Sequence, residues 1–276
     1  MRHLILGILA LTLSGCASTS SNGIGTPGPG NSVSVDFQAD TTYSYYFNNG
    51  ALVLHKKLWA LAITDETIAI QRNPHIYPAY VDRGVAYGAE GNFKADIADQ
   101  TQAIEVAAKY GGGGNYSDTV SDDVQYVPHA SQVVIFPAYE SRSEAYAETG
   151  QYALAVADDS EAIALNPSGP SLYNARCWHR AKQGDLANAL QDCNHALAVT
   201  PQSAETLDSR GYVYLKMQNY DASIADYTAA LNIAPKQASS LYGLGLALRA
   251  KNAPSADAKI AAAEKIDPNV AAILDK

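Results

Sequence analysis

The sequence predicts an all-α protein: a solenoid of about six stacked helical hairpins, interrupted by one irregular insertion. Three observations predict it. Pro167, Pro201 and Pro235 follow one another at intervals of 34 residues, and each closes a segment built on one plan. With each proline at position 32 of its unit, position 27 is Ala162, Ala196 and Ala230. Position 20 is Ala155, Ala189 and Ser223, and position 17 is Tyr152, Leu186 and Tyr220. A turn signal recurs at positions 15 and 16, in Gly91-Asn92, Gly150-Gln151 and Gly184-Asp185 and at Asn219. Apolar residues between these marks recur at helical spacing. Gly and Asn tolerate the left-handed conformation that ends a helix, and proline, without an amide proton, ends the second helix of each unit. A single hairpin cannot bury its apolar face, so stacked neighbours must supply the missing surface.

The units read 43–76, 77–108, 136–169, 170–203, 204–237 and 238–270. The first is marked by Gly50, Trp59, Ala62, Ala69 and Pro74 but carries Leu54-His55-Lys56-Lys57 at its turn. The second is marked by Gly84, Tyr87, Phe93 and Ala103. The last is one residue shorter and closes at Pro268, with Ala256, Ile260 and Ala263 still in phase. Val270 to Lys276 are expected to begin a helix that shields the final core face.

These marks resemble the tetratricopeptide repeat, two antiparallel helices with small residues at positions 8, 20 and 27. The resemblance implies a right-handed superhelix whose first helices line a concave groove for other proteins. Groove positions 2, 5, 9, 12 and 13 carry over to Glu140, Glu144, Asn174, Trp178, Lys182, Glu205, Asp208, Tyr212, Lys216 and Tyr242. This set is acidic with aromatic patches, and Trp178 and Tyr212 share position 9 of consecutive units. Large aromatics are favoured binding anchors. Family members that clamp a chaperone's C-terminal carboxylate use Lys and Asn in the first unit and Lys and Arg in the third. Here those places hold Phe47 and Ala51, then Pro137 and Ser141, so a basic or mixed peptide suits the groove better.

Two charges also repeat. Position 23 is Asp65, Asp99, Asp158, Asp192 and Asp226, and position 7 is Arg83, Arg142, Arg176 and Arg210. The second helix of one unit lies against the first helix of the next, so a structural ion pair is expected across each seam.

The N-terminal region reads as an address. Arg2 and His3 precede an apolar run from Leu4 to Leu13, ten residues long. That is too short to span a bilayer and fits a signal-peptide core over residues 1–15. Leu13-Ser14-Gly15-Cys16 resembles the bacterial lipoprotein cleavage motif, which implies that Cys16 becomes the first mature residue and carries the lipid. Ala17 follows in place of the Asp associated with inner-membrane retention, so the resemblance implies an outer-membrane protein facing the periplasm. Residues 16–42 then form a tether, rich in Gly, Ser and Pro over 17–32. The whole chain has a net charge of −9, and loss of Arg2 with the leader makes it −10. That balance excludes a nucleic-acid partner and a basic membrane-binding surface.

Beyond Cys16, Cys177 and Cys193 occupy positions 8 and 24 of unit 4, one on each helix. They form either a disulfide, suited to an oxidising compartment, or two buried free thiols. Cys177-Trp178-His179 and Cys193-Asn194-His195 invite a zinc reading, but residues two apart on a helix face opposite ways. No metal or other cofactor is expected, and His179 and His195 are expected at outward or seam positions. The insertion at 109–135 contains a run of four glycines and the acids Asp118, Asp122 and Asp123, whose spacing fits neither common calcium loop.

The sequence holds no zinc-protease His-Glu-x-x-His, no Gly-x-Ser-x-Gly and no Gly-rich phosphate loop with Lys, so an enzyme is not expected. A scaffold that binds an envelope protein or peptide is the leading expectation. The alternative is a small-molecule or glycan binder whose groove is closed by residues 109–135.

Overall fold

The computed structural model describes residues 58–110 and 135–274. The expected leader, Cys16, the expected tether, the expected first helix of unit 1 and all but the edges of the insertion lie outside these residues, as do Phe47, Ala51, Asp118, Asp122 and Asp123. The described residues form twelve helices. Helix α1 (Trp59–Arg72) is the second helix of unit 1. Unit 2 consists of α2 (Tyr77–Ala89) and α3 (Phe93–Tyr110), and unit 3 of α4 (Phe136–Glu148) and α5 (Tyr152–Leu165). Unit 4 is α6 (Pro170–Gln183) with α7 (Leu186–Val199), and unit 5 is α8 (Ala204–Lys216) with α9 (Tyr220–Ile233). Unit 6 is α10 (Ala238–Ala250) with α11 (Ala256–Ile266), and a short α12 (Val270–Leu274) follows.

Each helix packs on the one before it and the one after it. First helices also touch one another, α2 with α4, α6 with α8 and α8 with α10, and among the described residues no pair of second helices packs comparably. The stack therefore curves with its first helices inside, and this curvature is what makes a groove. Close approach depends on the small interior residues: Ala155, Ala162, Ala189, Ala196, Ser223 and Ala230 are all fully buried.

The turns are set by single left-handed residues. Gly91, Gly150 and Gly184 have φ of 81°, 78° and 96°. In unit 5 the expectation needs correction by one position: Gln218, not Asn219, is left-handed, with φ of 59°. Asn219 is instead the N-cap of α9, where its side chain accepts a hydrogen bond from the Ala222 amide. A cap residue needs a negative φ, so the left-handed turn moves one residue upstream. The second helix of unit 2 also runs past 108 to Tyr110, because Lys109 and Tyr110 continue a helix readily and the glycines begin only at 111.

Positions 8 and 24 face each other inside the hairpins of units 2, 4 and 5, and each of these units fills the space differently. Unit 2 places Gln100 against Gly84, and unit 5 places the Tyr227 ring against Gly211. In unit 4 the same two positions hold Cys177 and Cys193, which are joined as a disulfide with Cα atoms 5.4 Å apart.

The recurring Arg and Asp pair differently from the expectation. Arg83–Asp99, Arg142–Asp158, Arg176–Asp192 and Arg210–Asp226 are two-pronged pairs within one unit, with nitrogen–oxygen distances of 2.7–2.9 Å. What crosses the seam is a third bond. Nη1 of each arginine donates to position 25 of the preceding unit: Thr67, Thr101, Ser160 and Asn194 in turn, at 2.8–3.2 Å. The planar guanidinium offers a fork and a spare donor at once. One side chain thus ties its own hairpin together and holds the neighbour in register.

Candidate functional site

The ten groove residues all lie on first helices, but they divide into two neighbourhoods. The first is polar and spans the seam between units 3 and 4. Here α4 and α6 do not pack on each other as other first helices do, and charged groups fill the space. His179 is 1 % exposed, at a seam but not outward. Its Nδ1 lies 2.7 Å from Asp159 Oδ2 and its Nε2 lies 3.7 Å from Glu144 Oε2. Burial alone would lower the pKa of His179, but Asp159 and Glu144 outweigh it and push the value up to about 10. His179 is therefore a cation at neutral pH. Glu140 is pushed up to about 7 by burial and by the Asp159 charge. Glu140 Oε2 and Asn174 Oδ1 are buried without a hydrogen-bond partner among the described residues. This end of the groove presents acceptors.

The second neighbourhood is aromatic and spans units 4 to 6. The Trp178 and Tyr212 rings lie 4.9 Å apart, centroid to centroid, at 46°. Lys182 Nζ stands 5.4 Å from the centroid of each ring, and Lys216 Nζ stands 5.6 Å from that of Tyr212, distances at which a ring attracts a cation. Tyr242 belongs to the same apolar cluster. Asp208 is buried, accepts a hydrogen bond from Ser240 Oγ at 2.5 Å and has its pKa raised by burial to about 6. Asp208 thus fixes α8 to α10 and does not face a partner. Glu205 and Lys216 are exposed.

Trp178, Tyr212 and Tyr242 are 9 %, 2 % and 7 % exposed. Helix α12 contributes to the cluster that buries them and bonds to its wall, which the repeat pattern alone does not show. Val270 and Leu274 join the cluster that contains Trp178, Tyr212 and Tyr242, and Lys182 Nζ donates to the Ile273 carbonyl at 2.8 Å. The one available signal was the pair Val270 and Leu274, spaced for one face of a helix. Ser141, one of the clamp positions, donates to Asp96 at 3.1 Å and serves the seam between units 2 and 3. His195 is exposed at the surface and stacks on Tyr173 with centroids 3.9 Å apart. Among the described residues no group of three or more His, Cys, Asp or Glu could hold a metal ion. No helix among them is long and apolar enough to cross a membrane.

Comparison with known proteins agrees with this architecture. Residues 211–251 match a family model described as TPR repeat. No curated protein matches the sequence. Among solved structures, a chain of the APC/C hetero-tetramer Cut9–Hcn1 is similar at a TM-score of 0.63 and 18 % identity, covering 85 % of this chain and 42 % of that one. The chain thus spans less than half the length of that relative. A tetratricopeptide repeat protein from Parabacteroides merdae gives 0.62 at 15 % identity, with 84 % and 86 % covered. YrrB, a TPR protein with an unusual peptide-binding site, gives 0.50 at 16 %, with 76 % and 96 % covered. These likenesses establish the fold: an all-helical solenoid of tetratricopeptide-type hairpins.

Proposed function

We propose that this chain is a lipid-anchored protein of the bacterial cell envelope whose solenoid is a scaffold, binding a peptide or protein segment along its first helices. The observation that carries the binding part is the row of groove side chains, acceptor-rich at units 3 and 4 and aromatic at units 4 to 6. The same row supports a partner that brings a basic group to Glu140, Glu144 and Asn174 and an apolar one to Trp178, Tyr212 and Tyr242. YrrB, a TPR protein with an unusual peptide-binding site, adds weight to that reading.

The anchoring part is supported by the run Leu4–Leu13 followed by Leu13-Ser14-Gly15-Cys16, and by the Gly/Ser/Pro tether behind it. The Cys177–Cys193 bond fits the oxidising side of a membrane. On this reading the protein faces the periplasm from the outer membrane.

Photo-crosslinking in cells tests the groove. Glu205 and Lys216 are the positions for the crosslinker, because both are exposed whereas Trp178 and Tyr212 are covered. A discrete envelope protein captured from both positions is the expected result. Crosslinks only to bulk protein, with the fold intact, would move binding to another face. Labelling with palmitate, lost in Cys16→Ala, tests the anchor separately.

A further inference from the structure

Helix α12 has five residues, too few to be stable alone, so its position is dictated by what it touches. Val270 and Leu274 stand one turn apart on one face and are 0 % and 3 % exposed. They join the apolar cluster that contains Trp178, Tyr212, Tyr242 and Leu244. The last carbonyls of a helix have no partner within it, and here the groove supplies donors. Lys182 Nζ donates to the Ile273 carbonyl at 2.8 Å, and Tyr212 Oη to the Leu274 carbonyl at 3.4 Å. A cation is the favoured neighbour of a helix C-terminus. The donors precede their acceptors by 91 and 62 residues. A helix that merely capped the stack would need only α10 and α11; this one also reaches the first helices of units 5 and 4.

We propose that the wall formed by Trp178, Lys182, Tyr212 and Tyr242 is a receptor for the C-terminal end of a short apolar helix. Val270–Leu274 is its built-in occupant, and a partner segment of the same chemistry displaces it. The proposal rests on the groove reading above and adds the identity of the ligand class and a means of regulation. The recognised features are two aliphatic side chains four residues apart and a terminal turn whose carbonyls meet Lys182 and Tyr212. While the tail is seated, partner affinity is reduced by the fraction of molecules that are closed. Glu205 and Lys216, exposed at the groove margin, then select among segments that compete for the wall.

The test uses the chain in a Trp59→Phe background, which leaves Trp178 as the single tryptophan. Leu274→Asp places a charge in the apolar cluster and is expected to release the tail. Acrylamide quenching of Trp178 should then rise several-fold, with helicity and the melting transition of the solenoid retained. A fluorescein-labelled peptide of residues 268–276 should bind Leu274→Asp at least about tenfold more tightly than the parent, in which the tail competes. Should Leu274→Asp fail to fold, the Lys182→Met, Tyr212→Phe pair removes both donors and keeps the apolar contacts. It is expected to raise quenching in the same direction and to weaken the labelled peptide in trans. Unchanged quenching in a folded Leu274→Asp variant overturns the proposal. So does equal peptide binding to parent and variant, or an opened groove that takes no peptide. Crosslinking at Glu205 and Lys216 keeps the two readings apart. A partner captured while the tail test fails sinks only the self-occupied groove, and no partner in an opened chain sinks the groove as the binding face.

Discussion

The ring of Tyr227 lies between two glycines of consecutive first helices, with no exposed surface of its own. A Cβ on Gly211 would come within 3.1 Å of the ring, and one on Gly243 would overlap it. Gly243→Ala is therefore expected to destabilise the protein by about 1–3 kcal/mol, the usual cost of overpacking, and Gly211→Ala by less. Urea unfolding measures both. In unit 4 the same interior space is closed by Cys177–Cys193, and both cysteines are fully buried. Reduction, or Cys193→Ala with Cys177→Ala, should cost about 3 kcal/mol for a loop of this size in the chain-entropy model. A melting temperature that is the same with and without reductant would show that the bond adds nothing. The two cysteines and the glycines were plain in the sequence. That Gly84, Ser143, Cys177 and Gly211 share one interior position was legible as well, from the period. What each partner across the hairpin does was not, because it depends on side-chain volume on both helices at once.

Between hairpins, one arginine carries the register. Arg142 makes two bonds to Asp158 in its own unit and one to Thr101 in the unit before. Asp158 is 6 % exposed, so Arg142→Ala leaves a nearly buried carboxylate without its partner. The expected loss is roughly 1–3 kcal/mol, between the values for exposed and buried pairs. Ser160→Ala removes only the seam bond to Arg176 and should cost about 0.5–1.5 kcal/mol. A double-mutant cycle on Arg176 and Ser160 separates the seam from the hairpin. The recurrence of Arg and Asp was readable at once, and its partner assignment was not. Positions 7 and 23 lie on opposite helices, and only the rotation of each helix about its axis decides whether they meet within a unit or across a seam. The same holds for His179, which the pattern placed at an outward or seam position but which the packing drives inward onto Asp159.

Over the whole molecule, buried acids set the response to pH. Burial raises Asp82 and Asp96 to about 7 and Asp208 to about 6, and burial with the Asp159 charge raises Glu140 to about 7. Each folded-state value lies above the unfolded value near 4. The stability linked to these groups is thus complete below about pH 4 and is lost as pH rises through about 6 to 7. The chain should melt at a higher temperature at pH 5 than at pH 8. Glu140→Gln, which mimics the protonated carboxyl, should raise the melting temperature at pH 8 and change it little at pH 5. Equal melting temperatures at the two pH values would show that these acids ionise freely in the folded chain.

The amino-acid sequence by itself determined the repeat, the order of the helices and the small interior positions. All of these follow from spacing of 34 residues between units and of three or four within a helix, information that is local and repeats. Only the tertiary structure decided what covers Trp178 and Tyr212. Contacts 62 and 91 residues apart exist because several hairpins curve together, and curvature is a sum over seams that no single unit carries. A groove can be read from one repeat; its occupant depends on all of them.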